Sequence, residues 1–202
     1  MNHQTAVLVF CKAPVLGQVK TRLAKDIGDQ QALHVYQRML SQNLEIVSQL
    51  ADVQPMIVTT DISHTFFTPW LKKGFLITAQ VNGDLGERLL AAFAQALHPY
   101  RQVILIGVDS FDITDQHLQL AIEKMQTHDA VITPVDDGGY ILIGLKHLSA
   151  QLFEEMQWST PQVYEQTMRR FEQLGLDVFQ LPRLRDVDEL ADLGSLHKLE
   201  MT

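Results

Sequence analysis

The chain has 202 residues, 46% of them hydrophobic and 20% charged, with a formal net charge of −8 at pH 7. That length suffices for one sizeable domain with a full core, and the acidity excludes the broad basic face that general nucleic-acid binding needs. Cys11 is the only cysteine, which rules out a disulfide framework and a thiolate metal site, and the eight histidines form no HxxxH or HExxH pair.

In chain order, the first element is TAVLVFC (5–11), a short apolar run rich in Val that predicts a buried strand. Lys12 ends the run and no small-residue cleavage site follows, so it does not read as a signal peptide. Residues 30–50 then place Leu33, Tyr36, Leu40, Leu44, Val47 and Leu50 on one helical stripe. PMIVTT (55–60) is the second strand. DISHTFFTPWLKKG (61–74) carries Phe66, Phe67 and Trp70 at helical spacing, a pattern of core or of a homodimer surface. FLITAQ (75–80) is the third strand, and 85–97 is a helix with Leu85, Leu89, Phe93 and Leu97 on its stripe. QVILIGV (102–108) follows, then a helix over 114–126 with Thr114 as its N-cap. AVITPV (130–135), YILIGL (140–145) and DVFQL (177–181) are the remaining strands, and LRDVDELADL (184–193) announces a final helix.

Strand alternating with helix predicts an α/β protein, a three-layer α/β/α sandwich around a mostly parallel sheet, as a single domain over 1–202. No segment approaches the roughly 20 apolar residues of a membrane span. The expectation is a soluble cytoplasmic protein with no membrane or nucleic-acid partner.

Ligands of such sheets bind beyond the carboxyl ends of the strands. Four polar clusters fall there. In KAPVLGQVKTRL (12–23), Pro14 and Gly17 mark a loop, and Lys12, Lys20 and Arg22 precede any acid. Backbone N–H groups and cations leaving a strand suit a di- or triphosphate, although both GxxxxGKS/T and GxGxxG are absent. In NGDLGERLLAAF (82–93), Gly83 and Asp84 precede a helix that Asp84 and Glu87 can cap, and Arg88 can reach a phosphate or pair with an acid. In ILIGVDSFDIT (104–114), Asp109 sits at the tip of a strand, a position suited to a divalent metal on phosphate oxygens, while Asp112 reads as structural. In PVDDGGYILIG (134–144), Asp136, Asp137 and two glycines follow a strand, either as a ligand-approaching turn or as a plain Asp-Gly hairpin.

KAPVLGQVKTRL, GDLGERL, LIGVDSFDIT, DDGGYILIGL, WSTPQVYEQT and RDVDELADL occur in this order from about Val9 to Leu193. The chain thereby resembles a bacterial family of GT-A-like glycosyltransferases, the DUF2064 family or selenodomain-associated transferases type 1. The resemblance implies a nucleotide-diphospho-sugar transferase, Rossmann-like fold related to guanylyltransferases acting on molybdopterin and 2-phospholactate. It implies a nucleotide along Ala13 to Arg22, with Lys20 and Arg22 facing the phosphates. It also implies a divalent cation, Mg²⁺ or Mn²⁺, on Asp109, with Asp137 or Asp188 as a second carboxylate. One departure is visible: where the family usually reads DSPD or DCPD, this chain has Phe111 in place of Pro.

Together the residues and the resemblance set out three functions. The first is a metal-dependent transferase moving a glycosyl group from a nucleotide sugar to a small-molecule or glycan acceptor. The second is a nucleotidyltransferase joining an NTP to a phosphorylated acceptor. The third is a nucleotide-binding protein without catalysis. In the enzymes, Lys20 and Arg22 supply positive charge and Asp109 the metal site. Asp136 and Asp137 are the carboxylates at hand for a base, though the sequence singles out neither.

Overall fold

Seven apolar runs become seven strands of one sheet in the computed structural model, which describes residues 4–193. They are β1 (Thr5–Cys11), β2 (Val53–Thr59), β3 (Leu76–Ala79), β4 (Gln102–Ile106), β5 (Ala130–Pro134), β6 (Tyr140–Leu145) and β7 (Val178–Gln180), in the spatial order β3-β2-β1-β4-β6-β5-β7. The helices are α1 (Ala24–Ile27), α2 (Asp29–Ser48), α3 (Thr68–Lys72), α4 (Leu85–Leu97), α5 (Asp115–Thr127), α6 (Val163–Gln173) and α7 (Leu190–Leu193).

Alternate residues of the strands feed two cores on opposite faces. Val7, Val9, Ile57, Ile104 and Ile106 pack with Tyr36, Leu40 and Leu44 of α2 and with Leu118 and Met125 of α5. Ala6, Leu8, Val58, Leu105 and Ile143 pack with Leu89 and Phe93 of α4 and with Phe153 and Phe171. Both faces being covered, the central strands read as continuous apolar runs. The chain is thus a three-layer α/β/α sandwich with a mostly parallel sheet. The strand expected over 75–80 differs from the others: Leu76 is 48% exposed, because β3 ends the sheet with β2 as its sole neighbour.

Two features of the topology gather the polar clusters. The order reverses between β1 and β4, which are parallel neighbours with Val9 opposite Ile106. Helical crossovers leave opposite sides at such a point, so a crevice opens beyond the two carboxyl ends. Strand β6 is antiparallel to both β4 and β5, with Ile106 opposite Leu142 and the Gly107 N–H donating to the Ile141 carbonyl at 2.7 Å. The start of β6 therefore lies at the same edge as the end of β4. That places the 135–139 turn and Tyr140 beside Asp109.

The stripe expected over 30–50 is wider than read, with Ala32, Val35, Met39 and Asn43 buried as well. Thr114 caps α5 by accepting from the His117 N–H at 3.1 Å, as its sequence position predicts. Phe67 and Trp70 belong to the core.

Candidate active site

A cavity of about 470 Å³ lies at this edge. Its polar wall holds Lys12, Lys20, Arg22, Arg88, Asp109, Asp137 and Asp188. Seven of the residues singled out from the sequence thus converge, from five separate segments.

At the centre is Lys20, whose side chain is 3% exposed. Its Nζ lies 2.5 Å from Asp109 Oδ1 and 3.1 Å from Asp188 Oδ1, and donates to the Val187 carbonyl at 2.5 Å. Burial alone would drive the amine toward its neutral form. The charge of Asp109, and then of Asp188, overcomes this and leaves the Lys20 pKa above its ordinary value. Lys20 also adopts a left-handed backbone, φ 47°, which a residue other than glycine holds only where its surroundings fix it. Arg22 is exposed, with Nη1 3.4 Å from Asp188 Oδ2. The resemblance implied that both cations face phosphates; the structure turns Lys20 onto two carboxylates and leaves Arg22 and Lys12 at the solvent side.

Four backbone N–H groups in the first part of the loop are committed. The Tyr36 hydroxyl, brought in by α2, accepts from the Lys12 N–H and donates to the Lys12 carbonyl, both at 2.9 Å. The Ala13 N–H donates to Thr60 Oγ1 at 2.9 Å, and the Val15 and Gln18 N–H groups donate to carbonyls within the loop. Gln80 Nε2 donates to the Cys11 and Val58 carbonyls at the ends of β1 and β2. Ala13, Pro14 and Gly17 do not line the cavity. Burial pushes the Cys11 thiol up to about 12, which keeps it protonated and unreactive.

Gly83 and Asp84 likewise lie outside the lining. Asp84 forms a capping box with Glu87, accepting from its N–H at 2.9 Å while the Glu87 carboxylate accepts from the Asp84 N–H at 2.8 Å. Arg88 lines the cavity with its Nε fixed on the Gly83 carbonyl at 2.8 Å. Asp112 serves structure, accepting two hydrogen bonds from Arg185.

The GDLGERL, DDGGYILIGL and WSTPQVYEQT blocks meet through two glycines. A Cβ on Gly86 would fall 2.5 Å from the Phe153 carbonyl oxygen and 2.9 Å from Trp158 Nε1. One on Gly138, which has φ 87°, would fall 2.1 Å from the Pro161 carbonyl oxygen. These absences let α4 and the 135–139 turn close on the 153–162 segment. The chain of Arg170 secures that segment from α6 by donating to the carbonyls of Gln151, Glu154 and Glu155.

One carboxylate near the cavity, Asp186, reads in the sequence only as a helix signal. Asp186 is drawn up to about 6, first by burial, then by Asp137, Asp188 and Asp192. Asp137 holds the turn, its Oδ1 accepting from the Gly139 N–H at 2.7 Å. Tyr36, Gln80 and Trp158 are further cavity residues that patterning hides. Tyr36 sits on an apolar stripe, where it reads as core.

The family described as "Uncharacterized protein conserved in bacteria (DUF2064)" matches residues 43–160. The chain belongs to this family. The match takes in the second, third and fourth blocks and ends inside the fifth. A candidate nucleotide-diphospho-sugar transferase from Desulfovibrio desulfuricans G20 is 32% identical, with 98% of this chain and 87% of that one covered and a TM-score of 0.89. Two more distant structures share the fold. One is 4-diphosphocytidyl-2C-methyl-D-erythritol synthase from Anaerococcus prevotii, 11% identical, with 100% of this chain and 97% of that one covered and a TM-score of 0.62. The other is glucosyl-3-phosphoglycerate synthase from Mycobacterium tuberculosis in complex with Mn²⁺, UDP and glucosyl-3-phosphoglycerate, 12% identical, with 98% and 77% covered and a TM-score of 0.60. No curated protein matches the chain. The family's fold is that of the nucleotide-diphospho-sugar transferases.

Proposed function

We propose that this family member is a nucleotide-dependent transferase whose donor is a nucleotide-activated sugar. The observation that carries the reading is the meeting of Lys20, Asp109 and Asp188 at the switch point between β1 and β4. The relative from Desulfovibrio desulfuricans supports it through its designation, and the Mycobacterium enzyme through the Mn²⁺ and UDP bound on the same fold.

The donor set fits a small hard cation. Asp109 and Asp188 are 51% and 39% exposed and present oxygens to a common point. Among the described residues, no group of three His, Cys, Asp or Glu side chains is arranged to hold a metal. Mg²⁺ is commonly held by one or two carboxylates with substrate phosphates and water completing its shell. Asp109 and Asp188 would hold the ion, with Asp137 in the same cavity. When bound, it would neutralise charge on the diphosphate leaving group.

The chain's own groups do the rest. Arg22, Lys12 and Arg88 offer positive charge to the phosphates, and Lys20 keeps the carboxylates aligned. In the transfer, the acceptor's hydroxyl oxygen bonds the anomeric carbon. The bond from that carbon to the diphosphate oxygen breaks, and its electron pair leaves with the nucleoside diphosphate. The hydroxyl proton passes to a carboxylate, for which Asp137 is better placed than Asp136, since Asp136 does not line the cavity. Stabilising the departing negative charge supplies most of the rate. The same proposal treats residues 1–202 as one transferase domain.

The nucleotidyltransferase reading draws on the three cations Lys12, Arg22 and Arg88, which suit a triphosphate. Incubation with sugar nucleotides and with NTPs, assayed for nucleoside diphosphate and pyrophosphate respectively, separates the two. Release of neither across the four common bases overturns both.

A further inference from the structure

Beside the two cores on the faces of the sheet lies a third, smaller one, in which Leu23, Val35, Met39, Val187 and Leu193 are buried. The half-buried ring of Phe111 and the side chain of Leu190 pack against it. Val35 and Met39 belong to α2. The others stand on the segments that carry the charged centre of the site. Leu23 follows Lys20 by three residues, Phe111 follows Asp109 by two, and Val187 and Leu190 lie on either side of Asp188. One small apolar cluster therefore joins all three segments.

Polar links run alongside. The Val187 N–H donates to the Asp109 carbonyl at 2.8 Å. Before Val187, the segment is tied down by Arg185, which donates twice to the Asp112 carboxylate, and by the Leu184 N–H, which donates to the Pro134 carbonyl at 3.1 Å. After Val187 the hydrogen bonds turn inward, the Asp188 and Glu189 N–H groups both donating to Asp192 Oδ2. What seats this part on the protein is the burial of Val187 and Leu193, together with the ion pairs of Asp188 to Lys20 and Arg22. An ion pair fixes the distance between two charges, not the course of a backbone. That course is set by packing, which transmits even small displacements. Two carboxylates that share one small cation tolerate little displacement, because Mg²⁺ demands near-ideal octahedral geometry at about 2.0–2.1 Å.

We infer that Phe111 is a positioning residue, whose ring, through this third core, sets the spacing between the Asp109 and Asp188 carboxylates. Phe111 is the member of the cluster that belongs to the Asp109 loop, so it joins that loop to the apolar side of 187–193. Gln42 Nε2, from α2, donates to the Phe111 carbonyl at 2.9 Å, and the same helix supplies Val35 and Met39. Ring and backbone are thus both held by one rigid element. Loss of the ring leaves the Val187 bond to the Asp109 carbonyl in place but removes the packing that keeps it closed. The consequence for a metal rests on the transferase reading above, whereas the spacing itself does not.

The test compares Phe111→Ala in the full chain with Phe171→Leu, a truncation in the second core away from the cavity lining. Without ligand, amide hydrogen exchange at Val187 reports lifting of the segment off Asp109. Phe111→Ala should quicken it by about fivefold or more, since the ring contact is lost whenever the segment lifts, and Phe171→Leu should leave it unchanged. Calorimetric titration with UDP then reads the metal site. Phe111→Ala should lose about tenfold of the affinity that Mn²⁺ adds and keep its metal-free UDP affinity within about twofold, whereas Phe171→Leu keeps the whole gain. Phe111→Leu, which retains a large apolar side chain, should recover most of both effects. If Phe111→Ala does not fold, Phe111→Val takes its place with the same expected directions. Unchanged Val187 exchange in the Phe111 variant, or equal quickening by Phe171→Leu, overturns the inference. So does an undiminished gain from Mn²⁺. A parent without UDP binding, or without a gain from Mn²⁺, overturns the transferase or metal reading, and the exchange comparison then decides the inference alone.

Discussion

Lys20 and Asp109 form an ion pair of 2.5 Å that ties the loop after β1 to the tip of β4, and one of the two partners is almost wholly buried. The position is one a divalent cation would take between Asp109 and Asp188. The protein thus carries its own positive charge at the point where the proposed metal would bind.

Asp109→Asn separates the two roles of this carboxylate. Without ligand, the variant should lose about 1–2 kcal/mol of stability, a value reduced for the half-exposure of Asp109, because buried Lys20 loses a charged partner. The gain in nucleotide affinity produced by Mn²⁺ should largely disappear. Calorimetric titration with and without Mn²⁺ measures it. An undiminished metal-induced gain would remove Asp109 from the metal site.

Lys20→Met keeps an unbranched side chain, one atom shorter, and removes its charge. Asp109 and Asp188 would then face each other without a counter-ion, and the ligand-free protein should bind Mn²⁺ about tenfold or more tightly than the parent. Stability should fall in metal-free buffer and recover on adding Mn²⁺. Equal Mn²⁺ affinity in the two proteins, with the variant folded, contradicts the shared position.

Gly86→Ala tests the contact between α4 and the Trp158 segment. The added methyl would meet the Phe153 carbonyl oxygen at 2.5 Å, which backbone must yield to accommodate. A loss of about 2–3 kcal/mol in urea denaturation is expected, together with a changed Trp158 emission. A loss below about 0.5 kcal/mol would show that the segment yields freely.

Asp186 supplies a pH signature. Its folded-state pKa of about 6 lies above the ordinary 3.8, so between these values the folded protein holds more protons than the unfolded chain. The contribution of Asp186 to stability is therefore greatest below pH 4 and is lost as pH rises through about 6. Asp186→Asn should be more stable than the parent at pH 7 by about 1 kcal/mol, discounted for partial exposure, and equal to it near pH 4. Denaturation curves at pH 4, 5.5 and 7 check this. A difference independent of pH would assign the effect to something other than ionisation.

How much of this was legible follows from the range of each signal. Strand β1, helix α4 and the Thr114 cap are local patterns, and each appears where its residues put it. Asp109 stands out in the sequence because a carboxylate after an apolar strand is also a local signal, and it lines the cavity. The partner of Lys20 does not stand out, since nothing near residue 20 says that Val187 and Asp188 will fold over it. The antiparallel course of β6 is similarly set by pairing partners distant in sequence. Trp158 could be seen in its block, but its role depends on Gly86, far away along the chain.

The clasp of Tyr36 on Lys12 bears on how an anion would be held. With the N–H groups of Lys12, Ala13, Val15 and Gln18 occupied, the 12–18 part of this loop has few backbone dipoles to offer a phosphate. There the grip falls to Lys12 and Arg22, long side chains standing in solvent. Charges of that kind are screened over about 8 Å at physiological ionic strength. Nucleotide affinity should therefore decline steeply with added salt, and the loop should tolerate phosphate chains of different length, leaving discrimination to the walls deeper in the cavity.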